Sequence, residues 1–171
     1  MKVLDIRVAG KSIGVKPSVL NDGDAIVDSG TSDVNLPASV LHAVRSSFGD
    51  LCSDRSMCLK GVCDCTQHKP LLNPIFDNRC VHMDSADRDA FPVIEVDFSD
   101  GLTVPYSPTK YLRSGAEFCD DEGQYTIAIE SSGPDGSGTI FGDTFMQGFT
   151  VIHDRVKQRI GFAPVLDGKC P

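Results

Sequence analysis

No stretch of the 171 residues approaches the about 18 uninterrupted apolar positions that a membrane-spanning helix requires, so such a helix is excluded. Basic residues are scarce: 16 lysines and arginines stand against 24 acids, a formal net charge of −8. A surface so poor in positive charge lacks the footprint that nucleic acid or an anionic bilayer demands, and neither is expected as a partner. Internal repeats and low-complexity tracts are missing as well. A secretory leader is not expected at Met1-Lys2-Val3-Leu4-Asp5, which puts an acid where a signal peptide's apolar stretch runs. The chain is therefore expected to be cytosolic or to lack its natural beginning. What remains is a globular composition, 40% hydrophobic and 23% charged, at a length that suits one domain with a sizeable core.

Cysteine, in contrast, is abundant. Seven residues (Cys52, Cys58, Cys63, Cys65, Cys80, Cys119 and Cys170) are many for a cytosolic domain and favour an oxidising, secretory-type compartment, extracellular or endolysosomal. The odd number leaves at least one thiol free or bonded outside the chain. Cys63 and Cys65 have one residue between them, too close for an unstrained mutual bridge, so their partners are read as Cys52 and Cys58 in one of two connectivities. The same four with His68 are candidate zinc ligands. They lack the paired CxxC knuckles of common zinc sites, so disulfides are the preferred reading and no metal is expected. Apolar periodicity stops between Ser46 and Arg79, which predicts a Cys-rich insertion at about 48–80, stapled by disulfides and outside the core.

Elsewhere the apolar residues alternate over short runs: Val3, Leu4, Ile6, Val8; Val93, Ile94, Val96, Phe98; Tyr125, Ile127, Ile129; Phe149, Val151, Ile152. Such alternation bounded by glycine, proline, serine or aspartate reads as strands. Asp100-Gly101 predicts a type I′ hairpin turn between Val93–Phe98 and Leu102–Tyr106, since both central residues of that turn need positive φ. The spacing of Val40, Leu41 and Val44 predicts one helix from Pro37 to Ser47, and a shorter one is expected at Ser107–Leu112. The fold class is all-β with minor helices.

Ala25-Ile26-Val27-Asp28-Ser29-Gly30-Thr31-Ser32 is the sharpest feature. An apolar strand runs into an aspartate and then a turn of small hydroxyl residues around a glycine. A carboxylate at the end of a buried strand needs its oxygens satisfied, or its pKa rises steeply. The Gly30 N–H and the Thr31 hydroxyl are within reach to do so, and Gly30 lets the chain fold back over the carboxylate without a Cβ clash. Taken alone, an Asp-Ser-Gly triplet is more often an Asx-turn closing a strand. Near the far end, Gly138-Thr139-Ile140-Phe141-Gly142-Asp143 offers two bulky residues and a glycine able to run beside that turn and support it. Other candidates are weaker. His42, His68, His82 and His153 have no serine or cysteine in a nucleophile elbow beside them, and Asp120-Asp121-Glu122 reads as a solvated turn.

Together Asp28-Ser29-Gly30-Thr31-Ser32, Ile140-Phe141-Gly142-Asp143, Asp154-Arg155 and Ile160-Gly161-Phe162-Ala163 resemble the C-terminal lobe of pepsin-like aspartic endopeptidases, in that lobe's order. Ala90-Phe91-Pro92-Val93-Ile94 and Tyr111-Leu112-Arg113 also fit, and tilt the likeness toward the memapsin (beta-secretase) branch. The resemblance runs from about Val3 to Pro164 and implies that residues 1–171 form a single catalytic lobe, the Cys-rich insertion departing from the pattern. It implies a disulfide between Cys80 and Cys119. It also implies that Asp28 is the second of two aspartates sharing a proton across a pseudo-twofold axis. Thr31 then donates to the outer oxygen of Asp28, Ser29 makes a cross-lobe hydrogen bond, Gly30 offers its backbone to substrate or water, and Ser32 faces a substrate subsite. Ile140, Phe141 and Gly142 support the turn. No covalent intermediate, metal or cofactor is implied; the partners are a peptide or protein substrate and an N-terminal lobe.

The first Asp-Thr-Gly or Asp-Ser-Gly loop of that family is not in this chain, where Asp135-Gly136-Ser137 is in the wrong order with no apolar strand ahead of it. The chain is thus expected to be half of an active site and inactive alone, with Cys170 able to bridge to the other lobe. Two copies pairing Asp28 with Asp28, as in retroviral proteases, form a lesser alternative, since those subunits are much shorter and end in a dimer-forming strand. A reading from another class is a catalytically dead pepsin-like domain that binds a protein partner.

Overall fold

The computed structural model describes residues 1–54, 57–71, 75–115 and 118–165. In chain order the strands are β1 (Val3–Val8), β2 (Lys11–Ser12), β3 (Ala25–Val27), β4 (Val34–Pro37), β5 (Cys63–Asp64), β6 (Lys69–Pro70), β7 (Val81–His82), β8 (Ile94–Phe98), β9 (Thr103–Tyr106), β10 (Leu112–Ser114), β11 (Gln124–Ile127), β12 (Ile129–Gly133), β13 (Thr139–Phe141), β14 (Phe149–Asp154) and β15 (Arg159–Pro164). The helices are α1 (Pro17–Leu20), α2 (Ala38–Leu51), α3 (Ser85–Asp89), α4 (Pro108–Tyr111) and α5 (Asp143–Met146), of which only α2 exceeds two turns. The all-β expectation with minor helices holds.

The antiparallel sheet β2-β1-β8-β9 buries one face. Alternation puts Ile94, Val96 and Phe98 inward. In β1 a bulge between Val3 and Asp5 breaks the period, so Val3 and Ile6 both point inward and Leu4 is left 40% exposed. The β8–β9 connection bears out the hairpin signal, with positive φ at Asp100 (66°) and Gly101 (76°).

The apolar run from Tyr125 to Ile129 is not one strand. It divides at Ala128, where β11 pairs antiparallel with β10 and β12 pairs parallel with β4. Ala128 donates its N–H to Tyr111 O and accepts from Val34 N–H, so its backbone is satisfied while the chain changes sheets. Thr126, Ile127, Ala128 and Ile129 are all buried, so the alternation breaks where the chain changes sheets.

Helix α2 begins one residue after the expected Pro37, which is its N-cap, and runs four residues past Ser47. The extension follows from Phe48, which is fully buried against Phe76, Phe91 and Tyr111 with ring centroids 5.2, 6.3 and 6.2 Å away. Pro37 offers no side-chain cap, and the Asp135 carboxylate accepts the Ser39 N–H at 2.9 Å instead.

The region 48–80 departs from expectation. It was expected to lie outside the core, yet Cys52, Leu59, Val62, Cys63, Ile75 and Phe76 all belong to the main core cluster. The apolar residues there follow neither period because short turns, not long elements, present them inward. Cys52 is bonded to Cys63 and Cys58 to Cys65, which chooses between the two connectivities and leaves these four sulfurs unavailable to zinc. Cys80 is bonded to Cys119, and Cys170 lies outside the described residues.

Candidate active site

β13 lies between β3 and β4, parallel to the first and antiparallel to the second. The turn at 28–33 therefore leaves the sheet beside β13 and returns on its other side. At the entry, Asp28 donates its N–H to Phe141 O at 3.1 Å. Across the middle, the Asp143 and Thr144 N–H groups donate to Thr31 O and Ser32 O at 2.8 and 2.9 Å. Gly142 makes this approach sterically feasible: a Cβ there would stand 2.4 Å from both Thr31 O and Asp33 O. At Gly30 the need is milder, with a Cβ 3.2 Å from Asp28 Oδ1.

Both carboxylate oxygens of Asp28 are held within the turn. Gly30 N–H donates to Oδ1 at 2.9 Å and Thr31 Oγ1–H to Oδ2 at 2.7 Å. These bonds, the Gly30 amide first, hold the carboxyl below its ordinary range against an opposing desolvation. Asp28 is half-buried, while Ser29, Gly30 and Ser32 are exposed, so the carboxylate sits in an open surface turn. Such a group is able to accept a proton from a water or to share one with a second carboxyl brought up to it.

The strand ahead of the turn is less buried than its residues suggest: Ala25 is buried but Ile26 is 48% exposed, because it points to the opposite face, where its neighbour Ile140 is also only half-buried. Ile140 is half-buried, and Phe141 packs fully buried against Phe145 and Phe98, centroids 4.6 and 5.5 Å away. Phe91-Pro92 and Tyr111-Leu112 meet, since the Tyr111 hydroxyl donates to Pro92 O. His42, His82 and His153 are exposed, as are Asp120, Asp121 and Glu122. Sequence reasoning missed the Asp143 and Thr144 amides and the buried Asp33, whose only signal is an acid opening the apolar strand Val34–Pro37. A groove of about 700 Å³ at the turn end of the β14–β15 hairpin includes no residue of the Asp28 turn.

No helix among the described residues is long and apolar enough to cross a membrane. Among relatives, the chain is similar to a beta-secretase of Strongylocentrotus purpuratus, 28% identical over 93% of this chain and 29% of the relative. It is also similar to Pepsin-2B of Gadus morhua, 25% identical over 95% of this chain and 42% of the relative, and to Aspartyl protease family protein 2 of Arabidopsis thaliana, 29% identical over 95% and 30%. The chain thus spans about a third of the length of the curated relatives it matches. The family profile described as Eukaryotic aspartyl protease matches residues 1–165, a span that takes in the Asp28 turn and the β13 support it rests on. By that match, and with one carboxylate presented in an all-β lobe, the chain belongs to the pepsin-like aspartyl protease family.

Proposed function

We propose that residues 1–171 are the C-terminal lobe of an aspartic endopeptidase and that Asp28 is the acid this lobe supplies. The observation that carries the reading is the Asp28 carboxylate, satisfied through both oxygens and still presented in an open turn. The other carboxyl comes from an N-terminal lobe. Two carboxyls at hydrogen-bonding distance cannot both ionise, so one keeps a proton. The ionised member takes a proton from a bound water, whose oxygen attacks the peptide carbonyl carbon. The neutral member donates to the carbonyl oxygen, and the tetrahedral adduct collapses with protonation of the leaving amine. Thr31 fixes the orientation of Asp28, Ser29 reaches across to the other lobe, and Gly30 and Ser32 contact substrate. Within the family, the Phe91-Pro92 and Tyr111-Leu112-Arg113 segments favour the memapsin branch. The disulfides fit a secretory or endolysosomal location.

Asp28→Ala in the two-lobed protein tests the assignment. Peptide cleavage is expected to vanish at every pH while the unfolding midpoint stays within a few degrees; residual cleavage above background removes Asp28 from the reaction. The purified 171-residue chain alone is expected to cleave nothing at acidic pH, and turnover by a monomer contradicts the two-lobe reading. If the other lobe lacks its aspartate, the chain belongs to a binding module and not to a protease.

A further inference from the structure

Close to the Asp28 turn is a charged cluster that the function proposed above does not use. Asp33 is 6% exposed, and a carboxylate so buried is costly unless a cation replaces its water. Arg113 of β10 is that cation, with Nη1 2.7 Å from Asp33 Oδ1. Arg113 is fixed in turn from behind. Its guanidinium lies 4.2 Å from the centroid of the Phe118 ring, Phe118 precedes the disulfide-bonded Cys119, and the Arg113 backbone opposes Thr126 in the β10–β11 ladder. Glu130 Oε1 stands 3.9 Å from Arg113 Nη2 at the more exposed side. The contact is charge against charge and not an aligned hydrogen-bond pair, since Asp33 Oδ1 and Arg113 Nε have no hydrogen-bond partner. Nearby, the buried Tyr106 hydroxyl lies 2.7 Å from Thr144 Oγ1. Burial pushes the Asp33 carboxyl up, Arg113 pulls it down, and Glu130 adds to the rise.

Stability alone does not account for such a pair, because apolar residues of similar volume in its place are often as stable or more so. What an ion pair supplies is a fixed point. The turn is anchored at its entry by Asp28 N–H to Phe141 O and in its middle by the Asp143 and Thr144 amides. At its exit the Asp33 carboxylate is drawn to Arg113, and the next N–H, of Val34, donates to Ala128 O. Thr31, whose hydroxyl holds Asp28, stands just ahead of that exit. We propose that Asp33 and Arg113 are positioning residues for the Asp28 carboxylate, their ion pair fixing the exit of the turn and so keeping Thr31 Oγ1 against Asp28 Oδ2. The proposal rests on Asp28 being the acid of this lobe, and it acts through the backbone, with no contact to substrate required.

Carboxyl NMR titration of the 171-residue chain tests it. In the paired variant Asp33→Leu/Arg113→Met, which leaves no lone buried charge, the Asp28 midpoint is expected to move up toward 3.8, as in the control Thr31→Val. Arg113→Lys, which keeps the charge, is expected to retain part of the depression. A paired variant whose Asp28 midpoint equals the parent's overturns the proposal. The unaltered chain supplies a second reading that needs no variant. Protonating Asp33 breaks the pair, with Arg113, Glu130 and Tyr106 the charged or titratable groups facing it. The Thr31 amide shift is then expected to follow a second step coincident with the Asp33 carboxyl, and a Thr31 response confined to the Asp28 step also overturns it. Neither measurement involves peptide cleavage, so their outcome is separate from that of the protease reading.

Discussion

The carboxylate of Asp28 draws its acidity from two donors, and only one of them is a side chain that substitution can remove. Thr31→Val deletes the hydroxyl bonded at 2.7 Å and leaves the Gly30 amide in place. Its midpoint is expected to rise part of the way to 3.8, while Thr31→Ser keeps the low value; equal midpoints in the two variants contradict the bond. Gly142 is the other residue whose identity the site demands. A methyl there meets two backbone carbonyls at 2.4 Å, and backbone yields less readily than a side chain tip. Gly142→Ala is expected to cost about 1–3 kcal/mol, read as a lower denaturation midpoint, and a parental midpoint shows that the turn has room. At this scale much was legible. The bonds from Gly30 and Thr31 to Asp28 span two and three residues, so local sequence contains both partners. Asp33 was not legible, because its cation comes from a strand far along the chain.

Among the elements, α2 depends most on a residue beyond its expected end. Phe48 packs against three aromatic rings at full burial. Phe48→Ala is expected to lose about 3–5 kcal/mol of stability in chemical denaturation, through lost burial and the cavity left behind. A loss under about 1 kcal/mol implies that α2 collapses onto the gap. Strands with clean alternation were readable: β8, β9 and the β14–β15 hairpin stand where the pattern puts them. The bulge in β1 and the sheet change at Ala128 were not, since each is decided by which neighbour the strand pairs with. Asp135, the acid of a triplet in the wrong order for catalysis, caps α2 from the loop after β12, the strand beside β4. No local pattern announces a cap that comes from a distant loop.

For the molecule as a whole, most of the resolved carboxyl shifts share one sign. Asp28, Asp64, Asp87, Asp97, Asp135 and Asp154 are held below their ordinary value of 3.8, chiefly by hydrogen bonds, and Asp33 is held above it. A depressed carboxyl contributes stability that is present above 3.8 and lost as pH falls through the folded value; Asp33 works the other way, relieved of its charge as pH falls. The depressed group is the larger, so the unfolding midpoint is expected to drop progressively below pH 3.8, while the gain from protonating Asp33 falls above that pH. A midpoint flat or rising from pH 5 to pH 2, measured by circular dichroism in urea, contradicts that balance.

Composition and short-range pattern by themselves determined the all-β class, the hairpin turn at Asp100-Gly101 and the self-satisfied acid at Asp28, because the first shows as alternation along each strand and the other two rest on contacts within a few residues of chain. Only the tertiary structure decided the rest: β13 between β3 and β4, Cys52 bonded to Cys63 and not to Cys65, the 48–80 region packed into the core, and Arg113 against Asp33. Apart from the Cys52–Cys63 bond, those contacts join residues far apart in the chain. Which distant groups meet depends on how every intervening segment buries its apolar surface, and no local stretch of sequence contains that information.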